Sequence, residues 1–425
     1  MANAMQFSSL CNRTAVPVLN QPQLVYVLTE LLPGEAMANV RMPLNFALVL
    51  DRSGSMAGEK LRTMKEAVKR IIDQLDPNDV VSLITFETRT QLLAQAQPVR
   101  DKHALKQMVD RIKDGGGTVM APAIYEGIRQ VSLYYTPERV SRIILLTDGE
   151  ATDKEDDSRI QADQAGSMGL PIIGLGFGKD WKEDFMFELA DRSVMLPAGA
   201  RGGRVEFIRT PDMAMNVFQE VFQSMHIVAQ NVVTNVRMVQ GLEARRVWQV
   251  APIIRDISMG TIQGRAVVVQ AGDLEQGGAA YLYEIMLPPR PEGLVRIAQT
   301  DVTYDVPRSA PERQAADLLL QFTNDPALYN QYNGRVMNIV EKVQAFKLQT
   351  QALSEAEAGN VGSATRKLRA AVTILLNQGD SELAQQMTQE ADRLEKSGQI
   401  SSEGKKTIKL TSRKTVKLSD LDDQS

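Results

Sequence analysis

Between Pro43 and Met225 short apolar runs alternate with amphipathic helical stripes, and this alternation restricts the fold more than any other feature of the chain. Phe46–Leu50 and Ile143–Leu146 are unbroken apolar runs of strand length. Unbroken runs belong to strands covered on both faces, because a strand with one wet face alternates polar and apolar residues. Leu61, Met64, Ala67, Val68, Ile71, Ile72 and Leu75 recur at helical spacing between two such runs, and Asp76-Pro77-Asn78-Asp79 closes the stripe. Further strands are expected at Val80–Phe86, Thr90–Gln97, Pro171–Phe177 and Val205–Ile208. Helices are expected near Leu105–Ile112, Ala121–Tyr134, Ser158–Met168, Lys182–Asp191 and Asp212–Met225. The fold class of residues 43–226 is therefore α/β, a doubly wound and mostly parallel sheet covered by helices.

After this region the helical period stops. Val232, Thr234, Val236 and Met238 alternate with more polar neighbours, as do Tyr281, Tyr283, Ile285 and Leu287. Residues 227–306 accordingly read as an antiparallel β-sandwich. In the N-terminal segment, residues 1–42, Gln23–Leu32 is also strand-like. It is expected to join the sandwich, which makes the α/β domain an insertion; the alternative is that it only lies against the α/β domain. Residues 307–397 read as a helical domain, with helices at Ala315–Phe322, Val336–Leu353, Val361–Asn377 and Ser381–Leu394. Residues 398–425 carry few bulky apolar side chains and are expected to be a disordered basic tail. Within it Lys406-Thr407-Ile408-Lys409-Leu410 recurs as Lys414-Thr415-Val416-Lys417-Leu418.

Composition matters here for what it removes. The one cysteine, Cys11, excludes an intramolecular disulfide and every zinc site built on several cysteines. Two histidines, His103 and His226, leave little for a histidine-based site, so a bound metal is expected to have oxygen ligands. With 48 basic against 52 acidic residues the net charge is −4, which gives no reason to expect nucleic acid as a partner. No apolar stretch approaches the roughly 20 residues of a membrane span. The N-terminus lacks the basic and apolar regions of a signal peptide. The expected location is cytoplasmic.

The chemistry concentrates at strand ends. The first strand of the α/β region ends in Asp51-Arg52-Ser53-Gly54-Ser55, and a later one in Thr147-Asp148-Gly149. Ligands of open α/β sheets bind at the carboxyl edge of the strands. Between the two motifs lies Gly115-Gly116-Gly117-Thr118, a loop that leads into a helix. Two carboxylates and three hydroxyls make an all-oxygen donor set, suited to magnesium first, with manganese or calcium as alternatives. Asp51, Ser53, Ser55, Thr118 and Asp148 are the candidate metal residues. The acidic run Asp153–Asp157 reads as a solvated loop, or as extra negative potential beside the site.

Asp51-x-Ser53-x-Ser55, Thr118 and Thr147-Asp148-Gly149, in that order, resemble the von Willebrand factor type A family with an intact metal-ion-dependent adhesion site. The resemblance is to bacterial-type multidomain members. It implies direct coordination by Ser53, Ser55 and Thr118, with Asp51 and Asp148 acting through bound waters. It also implies an open metal position filled by an Asp or Glu of a partner protein. The expected function is a non-enzymatic, metal-dependent adapter or signalling module. The alternatives are a metal-stabilised scaffold with no exchangeable ligand, or an adapter of an ATPase complex.

Two enzyme readings fall short. A haloacid-dehalogenase-like phosphatase needs a second acid where Ser53 stands, and Gly174-Leu-Gly176-Phe-Gly178-Lys179 has neither phosphate-loop nor dinucleotide spacing. The tail adds a separate expectation. Thr407 and Thr415, each with a leucine three residues on, resemble phosphothreonine motifs read by forkhead-associated domains. A Ser/Thr kinase and such a reader are the partners this implies.

Overall fold

The computed structural model describes residues 5–34, 41–178, 180–194, 203–306 and 311–410. The chain opens with three strands, β1 (Met5–Cys11), β2 (Ala15–Pro17) and β3 (Gln23–Pro33). A compact unit, Arg41–Ile227, follows, and the described residues on either side of it form a second unit.

The unit Arg41–Ile227 contains β4 (Leu44–Asp51), α1 (Glu59–Gln74), β5 (Val80–Phe86), β6 (Thr90–Pro98), α2 (Lys102–Asp110), α3 (Ala121–Ser132), β7 (Val140–Thr147), α4 (Glu155–Ser167), β8 (Ile172–Phe177), α5 (Glu183–Arg192), β9 (Arg204–Ile208) and α6 (Pro211–Ser224). Its six-stranded sheet runs β6-β5-β4-β7-β8-β9. Only the β5–β6 pair is antiparallel. All eight residues of β4 are buried, because helices cover both faces. Phe46, Leu48 and Leu50 join the stripes of α1, α2 and α6 in one apolar cluster. The alternate residues Ala47 and Val49 face α3, which comes close enough that a Cβ on Gly127 would stand 3.1 Å from Val49. The turn after α1 is tied to the sheet by buried Asp79, which accepts hydrogen bonds from the amides of Leu44 (2.8 Å) and Asp76 (2.8 Å).

The second unit holds, besides β1–β3, the strands β10 (Ile227–Met238), β11 (Glu243–Ala251) and β12 (Arg255–Asp256), the short helix α7 (Ser258–Thr261), then β13 (Ile262–Gln263), β14 (Ala266–Glu275), β15 (Ala279–Leu287), β16 (Gly293–Asp305) and β17 (Glu312–Thr323). The helices α8 (Pro326–Tyr329), α9 (Gly334–Glu357), α10 (Val361–Asn377), α11 (Ser381–Ser397) and α12 (Ser402–Leu410) follow. One antiparallel sheet runs β1-β3-β15-β11-β12. The other runs β13-β14-β10-β16-β17-β2, with β13–β14, β10–β16 and β16–β17 antiparallel and β2 parallel to β17. Val25, Val27 and Leu31 of β3 share a core with Val232 and Val236 of β10. Leu28, on the opposite face of β3, packs with Trp248 and with Val336, Val340 and Phe346 of α9. The strand Gln23–Pro33 is thus buried on both faces. Its one charge, Glu30, is held by the guanidinium of Arg335 at 2.9–3.0 Å.

Two expectations are corrected. Ala315–Phe322, read as a helix, is part of strand β17. Its apolar stretch, Leu318–Leu320, is short enough to satisfy either period, and pairing with β16 decides it: Leu318, Leu320 and Phe322 point inward while Leu319 is 52% exposed. The expected disordered tail begins instead as α12. Ile400, Ile408 and Leu410 enter the core made by α9, α10 and α11. The Glu390 carboxylate accepts from the Ser401 amide (2.8 Å) and hydroxyl (2.6 Å), and the Ser401 oxygen in turn accepts from the amide of Gly404 (2.8 Å). Thr407 is buried in this helix, and Thr415 lies outside the described residues. Among the described residues no helix is long and apolar enough to cross a membrane.

Burial of Thr407 has a measurable consequence. Thr407→Asp places a charge in an apolar setting and should lower the unfolding free energy by about 2 kcal/mol or more. A urea midpoint equal to that of the wild type would show that the α12 face is not packed.

Candidate metal site

The site forms at the ends of β4 and β7, neighbours in the sheet: β4 ends in Asp51 and Asp148 directly follows β7. Asp51 and Asp148 have no solvent exposure. Asp51 Oδ1 accepts from the Ser53 amide (2.8 Å), and Oδ2 accepts from the Thr147 hydroxyl (2.6 Å). Ser53 and Ser55 place their hydroxyl oxygens 3.0 Å apart, and Ser55 donates to Asp148 Oδ1 at 2.6 Å. Four of the five predicted residues are therefore linked in one network.

Thr118 reaches the same place from the glycine-rich loop. A Cβ built on Gly149 would stand 3.6 Å from both Ser55 Oγ and Thr118 Oγ1, so the two hydroxyls face one space that the missing side chain leaves open. The loop is pinned by backbone bonds from Gly115 N to Arg52 O (2.9 Å) and from Gly54 N to Gly116 O (3.2 Å). Gly116 has φ +72°, and a Cβ there would collide with the Glu87 carboxylate and the Thr88 hydroxyl. Thr118 itself is fixed by Thr152, whose hydroxyl accepts from the Thr118 amide (3.1 Å) and whose amide donates to the Thr118 carbonyl (2.8 Å).

The donor set fits a hard cation. It combines two buried carboxylates with three hydroxyls that converge around an open space. Among the described residues no group of three or more His, Cys, Asp or Glu gathers to hold a metal in another way. Burial raises the Asp51 carboxyl above its ordinary value; the Thr147 and Ser53 hydrogen bonds lower it by less, and Asp148 adds to the rise. A cation removes this cost by favouring the ionised form.

Several functional neighbours escape sequence reasoning. Lys60 Nζ lies 2.5 Å from Asp148 Oδ2. The one available signal is a basic residue in the first turn of a helix, against the helix dipole. Thr147, visible in its motif, turns out to be the hydroxyl that orients Asp51. The acidic run Asp153–Asp157 is not simply a solvated loop: Asp153 Oδ2 accepts from the amides of Met120 (3.1 Å) and Ala121 (2.9 Å) and so caps α3, while Glu155, Asp156 and Asp157 open α4. His103 pairs with Gln107 on α2, and His226 meets the ring of Phe222, so neither belongs to the network above. Gly174 and Gly176 are packing glycines within β8, where a Cβ would strike Met186 and Trp181.

Two outcomes follow from this geometry. Gly149→Ala adds a methyl at ordinary contact distance, so the fold should persist while affinity for Mn2+, read by calorimetry, falls by about tenfold or more as the shared space fills. For Asp51 the sign is set by its raised carboxyl. The folded chain holds that proton where the unfolded chain has released it. This stabilisation is fully present below the ordinary carboxylate range and is lost as pH rises through the raised value. In chelator at neutral pH, Asp51→Asn should therefore melt at or above the wild-type temperature, and the difference should shrink on acidification.

Residues 45–196 match the family model of the von Willebrand factor type A domain, and residues 334–418 match the Sll0103-like, C-terminal alpha-helical domain. The Synechocystis sp. protein sll0103 is 32% identical over 288 residues, which cover 66% of this chain and 66% of that one. Inter-alpha-trypsin inhibitor heavy chain H3 of Homo sapiens is 34% identical over 161 residues, 35% of this chain but only 18% of its own length. The chain thus spans about two thirds of the first relative and under a fifth of the second. A von Willebrand factor type A structure from Catenulispora acidiphila superposes with TM-score 0.73 at 18% identity, covering 98% of both chains. The ArnB paralog VWA2 from Sulfolobus acidocaldarius gives 0.54 at 17% identity, over 96% of this chain and 98% of that one. At these identities the likeness is one of fold. A family match that begins one residue into β4 and covers all three motif segments makes this chain a von Willebrand factor type A domain protein.

Proposed function

We propose that this chain is a non-catalytic binding module whose α/β unit holds a divalent cation, magnesium first, and offers its open position to an Asp or Glu of a partner protein. Von Willebrand factor type A domains generally mediate metal-dependent protein–protein interaction. The observation that carries the reading is the convergence of Ser55 and Thr118 hydroxyls beside Gly149, with Asp51, Ser53 and Asp148 bonded into the same network. Ser53, Ser55 and Thr118 would hold the ion directly, and Asp51 and Asp148 would hold its waters. A bound cation supplies a Lewis-acidic position. Neutral hydroxyls take little of its charge, which leaves it attractive to a carboxylate.

A scaffold without exchangeable ligand is the second reading, and one observation favours it. Asp148 is already satisfied by Ser55 and Lys60, so the metal-free arrangement is internally bonded. The part of the tail expectation that rests on Thr407 loses ground, since a kinase needs an extended, accessible segment and Thr407 is 2% exposed. Thr415 carries what is left of that proposal, a kinase site for a forkhead-associated reader.

A pull-down with the full chain in magnesium, in chelator, and with Asp51→Ala separates the two main readings. The expected result is a partner recovered only by the wild type in magnesium. Identical partners in all three arms would favour the scaffold. Magnesium should also stabilise the wild type, by about 2.7 kcal/mol at a hundred times its dissociation constant, and leave Asp51→Ala unchanged.

A further inference from the structure

Lys60 is the second residue of α1, at the end of the helix where backbone amides already concentrate positive charge. A lysine is disfavoured there unless something compensates it. Asp148 does so: its Oδ2 meets the ammonium at 2.5 Å, with the carboxylate fully buried and the lysine side chain 28% exposed. The other oxygen of the same carboxylate, Oδ1, takes the Ser55 hydroxyl at 2.6 Å. The two oxygens are thus divided, one to the lysine and one to the hydroxyl cluster. Gly178, just after β8, lies alongside the lysine, where a Cβ would stand in ordinary contact at 3.6 Å from both Cε and Nζ.

We propose that Lys60 is a positioning residue that sets the charge of the metal site, weakening its hold on the cation while strengthening the pull of the loaded site on an incoming carboxylate. The inference rests on the metal reading above. In formal charge, two carboxylates against one ammonium put the metal-free pocket at minus one. A divalent ion takes it to plus one, and one partner carboxylate returns it to neutrality. Without Lys60 the loaded site is neutral already. It then holds the ion more tightly and has less charge to offer an acid. The same lysine fixes the Asp148 plane, so that Oδ1 stays toward Ser55.

The test uses the full chain at one fixed pH and Mn2+ alone as the first probe, by calorimetry with electron paramagnetic resonance of the free ion. Lys60→Met should bind Mn2+ about tenfold more tightly than the wild type, and Lys60→Arg within about twofold of it. The second probe is acetate at saturating Mn2+, followed by water-proton relaxation of the bound ion. Acetate should displace water from the wild type at a concentration several-fold lower than from Lys60→Met. Circular dichroism melts establish that each variant folds, and Lys60→Gln replaces Lys60→Met if the latter does not. Equal or weaker Mn2+ affinity in the folded neutral variants overturns the role of Lys60 and leaves the metal reading standing. A wild type that binds no Mn2+, like Asp51→Ala, overturns both.

Discussion

Two carboxylates buried at the ends of adjacent strands are the constraint around which the α/β unit is arranged. Asp51 and Asp148 have no contact with water, and like charges in such a place destabilise one another. Each nearby feature acts on that problem. Thr147 and the Ser53 amide satisfy both oxygens of Asp51. Ser55 and Lys60 divide the oxygens of Asp148. The glycine loop comes within backbone hydrogen-bond range of Arg52 and Gly54, closing the edge while admitting one more hydroxyl. A surface pair of acids would need none of this, since water would do the work.

The strands that hold the site are also the ones most legible in the sequence. β4, β5 and β8 are buried along their whole length, so apolar residues dominate both faces and no clean alternation competes. Legibility fails where tertiary packing, and not local pattern, decides the outcome. Residues 312–323 could serve either period, and the open edge of β16 settled them as a strand. Ser402–Leu410 is too polar to predict order, yet Ile408 and Leu410 are buried, Ile400 just before it enters the helical core, and the Glu390 clamp holds its start. The first copy of the repeat, which reads as exposed, lies inside a packed helix.

The site shows the same division. Asp51, Ser53, Ser55 and Asp148 were legible because their motifs mark tight loops at strand ends, and Thr118 because it closes a glycine-rich loop that leads into a helix and matches the family's motif order. Thr152 and Asp153 were not, because their importance lies in what they do for a distant backbone: one fixes Thr118 and the other caps the helix that Thr118 precedes. Lys60 was hidden for another reason. On its helix it has the look of one more solvated charge, and only the position of Asp148 on a different strand gives it a partner.

This hidden layer bears on how such a site can be tuned. In the proposed site the five oxygen donors decide whether a hard cation fits. They do not by themselves decide how much of its charge remains for a partner. That quantity depends on every charge close enough to act through a poorly screened medium, and with Asp148 fully buried the nearest is the Lys60 ammonium. A chain could therefore keep all three motif segments unchanged and still move between holding a metal tightly and presenting it strongly, by changing a residue that never touches the ion. On this view the motif specifies the ion's seat, and the first turn of α1 specifies how far the seated ion reaches outward.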